Sequence, residues 1–144
     1  MKISRPALLA FVAAAFISTA ANAAQLTVLK SPYCGCCAKW IEHVQQHGFT
    51  VKVVDTEDMT AAKQRLGVPN RLASCHTTMA GGYFIEGHVP AADIKRLLAQ
   101  KPKATGIAVP GMPGGSPGME TAAKEPYATI IVRHDGTLGI FARH

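Results

Sequence analysis

At 144 residues, with 48% hydrophobic side chains and a formal net charge of +6, the chain has apolar material for one domain with a real core and too little length for two. Its positive residues are scattered singly or in pairs. Without a dense basic stripe or interleaved aromatics, they read as a solvated surface, and nucleic acid is not expected as a partner.

The chain opens on a secretory signal peptide. Lys2 and Arg5 precede an apolar run from Ala7 to Ile17, which leads into Ala21-Asn22-Ala23, a small-residue cleavage sequence. The run is too short to span a bilayer, and Ala24 rather than a cysteine follows the expected cut, so neither a membrane span nor a lipid anchor is expected. Residues 24–144 should form a single exported domain, and a bacterial periplasm fits best. Two of the fifteen cations leave with the leader and none of the nine anions, so residues 24–144 carry 13 − 9 = +4.

Leu26 to Lys30 reads as a strand, and Ser31-Pro32 breaks it just before Cys34-Gly35-Cys36-Cys37. From Cys37 to His47, Trp40, Ile41 and Val44 recur at helical spacing and Gly48 closes the segment. The cysteines therefore open a helix. Phe49 to Val54 reads as a second strand, Met59 to Leu66 as a second helix stopped by Gly67 and Pro69, and Tyr83 to Ile85 as a short third strand. Pro90 starts a helix through Gln100, with Ile94, Leu97 and Leu98 on one face. Residues 101–126 are rich in Pro and Gly, and no regular element is expected there. A hairpin follows, Tyr127 to Arg133 and Thr137 to Ala142, turning at Asp135-Gly136. The pattern predicts an α/β fold of thioredoxin-like type: a small mixed sheet flanked by helices, a terminal β-hairpin, and cysteines at a strand-to-helix junction.

A helix N-terminus stabilises anions, so thiols placed there should be unusually acidic. Cys34 and Cys37 have the Cys-x-x-Cys spacing of a thiol-disulfide exchange site. Cys36, wedged between them, offers competing disulfides that an exchange catalyst has reason to avoid. Cys-x-Cys and Cys-Cys spacings are also too tight for a mononuclear zinc knuckle, and suit bridging sulfurs instead. With Cys75, four thiolates bridging an equal number of Cu(I) ions give a neutral cluster that is cheaper to bury.

Other soft donors point the same way. Met112 and Met119 sit on flexible Gly/Pro-rich chain, outside any apolar periodicity, and thioethers select Cu(I); the competing reading is that they only pack the loop down. His76 neighbours Cys75 in Ser74-Cys75-His76-Thr77 and is the foremost histidine ligand candidate. His88 either approaches the site or caps the Pro90 helix. His43 and His47, spaced i, i+4, read as a solvated face rather than a chelating pair.

These residues resemble a particular family: the small exported metal-binding proteins of copper resistance, the CopG type of the bacterial periplasm, formerly catalogued as a domain of unknown function. The resemblance runs from Tyr33-Cys34-Gly35-Cys36-Cys37-Ala38-Lys39-Trp40 through Ser74-Cys75-His76-Thr77 and Tyr83-Phe84-Ile85-Glu86-Gly87-His88-Val89-Pro90-Ala91. It continues through Val109-Pro110-Gly111-Met112-Pro113 to Gly115-Ser116-Pro117-Gly118-Met119-Glu120. It implies a thioredoxin-like fold, copper held through the cysteines, and a role in periplasmic copper tolerance.

Three functions stay open at this point. The chain holds Cu(I) and interconverts Cu(I) and Cu(II), with Cys34 and Cys37 as redox candidates; or it is a periplasmic thiol-disulfide oxidoreductase using the same two residues; or it carries copper passively to an efflux system or another carrier protein. Zinc at a site of three Cys and one His is the less favoured metal.

Overall fold

The computed structural model describes residues 24–144, and the expected leader over 1–23 lies outside them. The described residues form one seven-stranded mixed sheet with three α-helices. The strands are β1 (Gln25–Lys30), β2 (Thr50–Asp55), β3 (Thr77–Ala80), β4 (Tyr83–Glu86), β5 (Ala104–Ala108), β6 (Ala128–Arg133) and β7 (Leu138–Arg143). The helices are α1 (Gly35–Gln46), α2 (Met59–Arg65) and α3 (Ala91–Gln100). None of the described helices is long and apolar enough to cross a membrane.

The sheet order is β2-β1-β3-β4-β5-β6-β7. β1 runs parallel to β2 and antiparallel to β3, β4 runs parallel to β5, and the remaining neighbours are antiparallel. Successive side chains of a strand face opposite sides, so a central strand buries both. Every residue of β4 is buried: Ile85 joins a core with Trp40 and Val44 of α1 and Ile94 and Leu97 of α3, while Phe84 joins a second core with Val68, Leu72 and Val132. α1 and α3 thus cover one face, and the chain around the end of α2 covers the other.

Two strands were not expected. β3 is only Thr-Thr-Met-Ala, but Gly81 and Gly82, both at positive φ (57° and 85°), make the two-residue turn that pairs it with β4. β5 corrects the expectation of no regular element in residues 101–126. Its sequence Ala-Thr-Gly-Ile-Ala has weak strand propensity, yet Gly106 is required there, because a Cβ at that position would lie 2.3 Å from the Phe84 carbonyl oxygen. The terminal hairpin forms as expected, with Gly136 at φ 80° in its turn.

Candidate metal centre

The chain leaves β1 through a tight turn in which Cys34 N–H donates to the Ser31 carbonyl at 3.1 Å. Cys34 is the N-cap of α1, with extended backbone, and its side chain makes no capping bond. Cys36 and Cys37 occupy the first helical turn, where unpaired N–H groups and the positive dipole end favour an anion, and no acidic side chain competes there.

Cys34 and Cys37 are joined by a disulfide, and Cys36 and Cys75 are free thiols. Cys36 Sγ lies 3.5 Å from Cys34 Sγ and 3.5 Å from Cys75 Sγ. All three sulfurs fall within 4.8 Å of one another, close enough to hold a common ion. Cys34 becomes a thiolate donor only when its disulfide is reduced, which also frees the fully buried Cys37. In this oxidation state two of the four expected thiolates are tied up in one bond.

Cys75 differs from the cysteines of α1. It precedes β3, outside α1, and burial, reinforced by the hydrogen bond and like charge of Cys36, pushes its thiol up to about 11. The acidity expected at the helix start does not extend to it.

His76 is fully buried, and neither ring nitrogen has a hydrogen-bond partner. Its ring centroid lies 4.4 Å from Trp40 and 5.1 Å from His88. Burial, then the nearby His88, Lys63 and Lys30, holds it well below the ordinary histidine range, so it is neutral with one bare ring nitrogen to offer. His88 Nδ1 sits 2.8 Å from the Pro117 carbonyl; that oxygen only accepts, so Nδ1 carries the proton and Nε2 is bare. His88 Nε2 is buried without a partner, and burial lowers the His88 pKa.

Of the two roles expected for His88, it does not cap the Pro90 helix, and its ring lies beside that of His76. Capping falls to His43, whose Nε2 accepts from Ala91 N–H at 3.1 Å at the start of α3. His43 is accordingly half-buried rather than on a solvated face, with its pKa lowered by burial first and by His47 second. Trp40 Nε1–H donates to the Val89 carbonyl at 2.9 Å and ties α1 to the residue after His88.

The methionine loop has no regular element between residues 109 and 127, but it is not loose. Ser74 Oγ donates to the Gly111 carbonyl, so the residue before Met112 is anchored to the residue before Cys75. Met112 itself is 54% exposed, available to an incoming ion. Gly118 packs so closely on α1 that a Cβ there would lie 2.8 Å from Trp40 N and 3.0 Å from the Cys36 carbonyl oxygen. Met119, half-buried, follows directly. Both methionines therefore belong to backbone pinned against the cysteine segments.

The sequence reading assigned no role to Lys63, Ser74, Thr77 or Glu86. Lys63 Nζ lies 2.5 Å from Glu86 Oε1 in a pair shielded from solvent and bonded to Ser74 and Thr77, on either side of Cys75 and His76. A carboxylate closing the otherwise apolar strand Tyr83–Glu86 was the available signal.

Sheet, helix start and sulfur cluster together define an α/β protein with a cysteine-rich, metal-capable centre. The family model described as "Protein of unknown function, DUF411" matches residues 72–119. A solved structure described as "Copper resistance protein copG- Form 2" is 42% identical, with a TM-score of 0.82, over 85% of this chain and 98% of that one. A second, "Copper resistance protein copG- Form 1", is 43% identical, with a TM-score of 0.79, over 83% and 96%. A search of curated proteins gives no match. The chain belongs to the CopG family of copper resistance proteins.

Proposed function

We propose that this chain is a periplasmic copper-tolerance protein that holds Cu(I) through the thiolates of Cys34, Cys36, Cys37 and Cys75 in a sulfur-bridged, multinuclear site. The observation that carries the reading is the placement of Cys36 Sγ 3.5 Å from both Cys34 Sγ and Cys75 Sγ, a spacing at which one sulfur serves two ions. The bare, buried nitrogens of His76 and His88 and the thioethers of Met112 and Met119 are the further donors. The sheet order β2-β1-β3-β4, with α1 following β1 and α3 following β4, supports a thioredoxin-like core extended by β5–β7. The leader sequence and the family support the periplasm.

The same centre supports interconversion of Cu(I) and Cu(II). Two Cu(II) ions reduced to Cu(I) take up two electrons, and the Cys34 and Cys37 thiolates supply them as the S–S bond between them forms. Copper efflux or carrier proteins are the partners this role implies.

Anaerobic Cu(I) titration of the reduced protein, followed by native mass spectrometry, tests the binding. Saturation above one ion, lost in Cys36→Ser, is expected; saturation at one ion rules out the bridged cluster, and no uptake sinks the whole reading. Stopped-flow detection of copper oxidation state tests the redox part, which fails if the rates coincide with and without protein.

The Cys34–Cys37 disulfide at the start of α1 favours a second reading, thiol-disulfide exchange with Cys34 as nucleophile. Insulin reduction that survives strict metal removal and vanishes in Cys34→Ser would select it.

A further inference from the structure

Glu86 closes β4, and its carboxylate has no exposure to solvent. Burying that charge is costly unless a counter-charge and hydrogen bonds compensate it. Lys63 of α2 supplies both, donating to Glu86 Oε1 at 2.5 Å and to Thr77 Oγ1 at 3.0 Å. Thr77 Oγ1–H donates to Glu86 Oε2 at 2.6 Å, and Ser74 backbone N–H donates to Oε1 at 2.6 Å. One carboxylate thus grips the two residues that bracket Cys75 and His76.

The grip extends in both directions. Thr77 lies opposite Glu86 in the β3–β4 register, and Gly87 N–H donates to the His76 carbonyl at 2.9 Å, so the ladder continues to the edge of the site. Ser74 lies so close that a Cβ at Gly87 would sit 2.6 Å from its Cβ, and its hydroxyl holds Gly111 at the root of the methionine loop. Stability alone does not account for the pair, since well-packed apolar residues in place of a buried ion pair are often neutral or better. What the ions provide is direction: bonds that fix where residues 74–77 run.

We propose that the buried Lys63–Glu86 pair is a positioning device for the metal centre, in which Glu86 clasps Ser74 and Thr77 and thereby holds Cys75 Sγ beside Cys36 Sγ. The inference rests on the copper reading above, but its first readout needs no metal. Diamide takes two electrons and two protons from a pair of thiols and leaves a disulfide, so the rate at which it joins Cys36 to Cys75 in the metal-free full chain reports their approach.

The variant Lys63→Met/Glu86→Leu removes both charges and both carboxylate acceptors of the clasp while keeping apolar bulk. It leaves Ser74 N–H and Thr77 Oγ1–H without their acceptor, so it is expected to unfold cooperatively somewhat below the wild-type temperature, and to form the Cys36–Cys75 disulfide about tenfold or more slowly, the scale on which a displacement on the order of 1 Å acts. Its Cu(I) stoichiometry should fall in parallel. Thr77→Val leaves the ion pair intact and removes one hold, and should slow the same reaction by about threefold, the worth of one hydrogen bond.

Wild-type rates and copper uptake in the folded double variant overturn the proposal; should that variant fail to fold, a wild-type rate in Thr77→Val does so. A wild-type protein that crosslinks normally and takes up no Cu(I) sinks the copper reading instead, and the crosslinking rates still judge the clasp.

Discussion

Among the described residues two carboxylates are buried, Glu86 and Asp93, and the molecule surrounds them differently. Glu86 sits in a closed arrangement with a shielded ammonium, and everything it holds leads to Cys75, His76 or the methionine loop. Asp93, in the first turn of α3, accepts from Thr129 Oγ1 at 2.6 Å and His144 Nε2 at 2.9 Å, while Arg96 Nη2 lies 3.3 Å away. Arg96 is itself 40% exposed in its side chain and donates to the Phe141 carbonyl at 2.7 Å. The second cluster fastens the β6–β7 hairpin to α3, and no free cysteine or candidate ligand shares its bonds. Both clusters use a buried acid as a fastener, but only one fastener has a soft-donor site resting on it.

Neutralising each acid should separate the two most sharply. Glu86→Gln leaves the Lys63 ammonium buried without its counter-ion and is expected to cost about 3–5 kcal/mol by chemical denaturation. Asp93→Asn keeps hydrogen-bonding capacity beside a partly solvated guanidinium and should cost about 1–2 kcal/mol. Copper uptake should fall in the first and stay at the wild-type level in the second; equal losses of uptake would erase the distinction.

Next in size is the contact between the methionine loop and α1. Gly118 holds φ +84° and a Cβ there would lie within 3.0 Å of two backbone atoms of α1, so Gly118→Ala should cost about 1–3 kcal/mol and detach Met119 from the site. Thermal unfolding reads the first effect, and a weaker Cu(I) affinity the second. A fully retained affinity would mean that the loop contributes no donor.

Much of this was legible in the chain. Trp40 and Val44 at helical spacing announced α1, and Asp135-Gly136 announced the last hairpin, because both rest on local rules. The grouping of Cys34, Cys36 and Cys37 needed no fold at all. Cys75 and His76 reached the candidate list through their own chemistry, but their distance to Cys36 depends on β3 pairing with β1, a non-local contact that Thr-Thr-Met-Ala does not advertise. β5 was hidden for a related reason: its small residues are chosen to fit under Phe84 rather than to favour a strand. Lys63 was illegible because a lysine on a short helix ordinarily faces water, and only tertiary packing brings it to Glu86.

Acid should distinguish the two clusters further. Folded His76 stays neutral because burial holds its pKa well below the ordinary value, whereas in the unfolded chain it takes a proton below about pH 6.5. The unfolded state therefore binds more protons in that range, and stability falls as pH falls. The slope should approach about 1.4 kcal/mol per pH unit for each such histidine, His88 adding to it with a pKa lowered in the same direction. Denaturant titrations of the metal-free protein at pH 7.5, 6 and 5 measure it, and His76→Phe should flatten the slope by one proton. An unchanged slope would place His76 in water.

The smallest effect belongs to the Asp93 fastener. His144 stacks on Tyr127 with centroids 4.8 Å apart, and its Nε2 bonds Asp93, but Asp93 keeps Thr129 and Arg96 when the imidazole is gone. His144→Ala should therefore cost about 0.5–1.5 kcal/mol, the worth of one hydrogen bond among several. The loss should appear as faster amide exchange confined to β6 and β7, with the Cys36–Cys75 crosslinking rate unmoved. Slower crosslinking in this variant would mean that the two buried acids are mechanically linked through β4 to β6, and the division of labour between them would have to be abandoned.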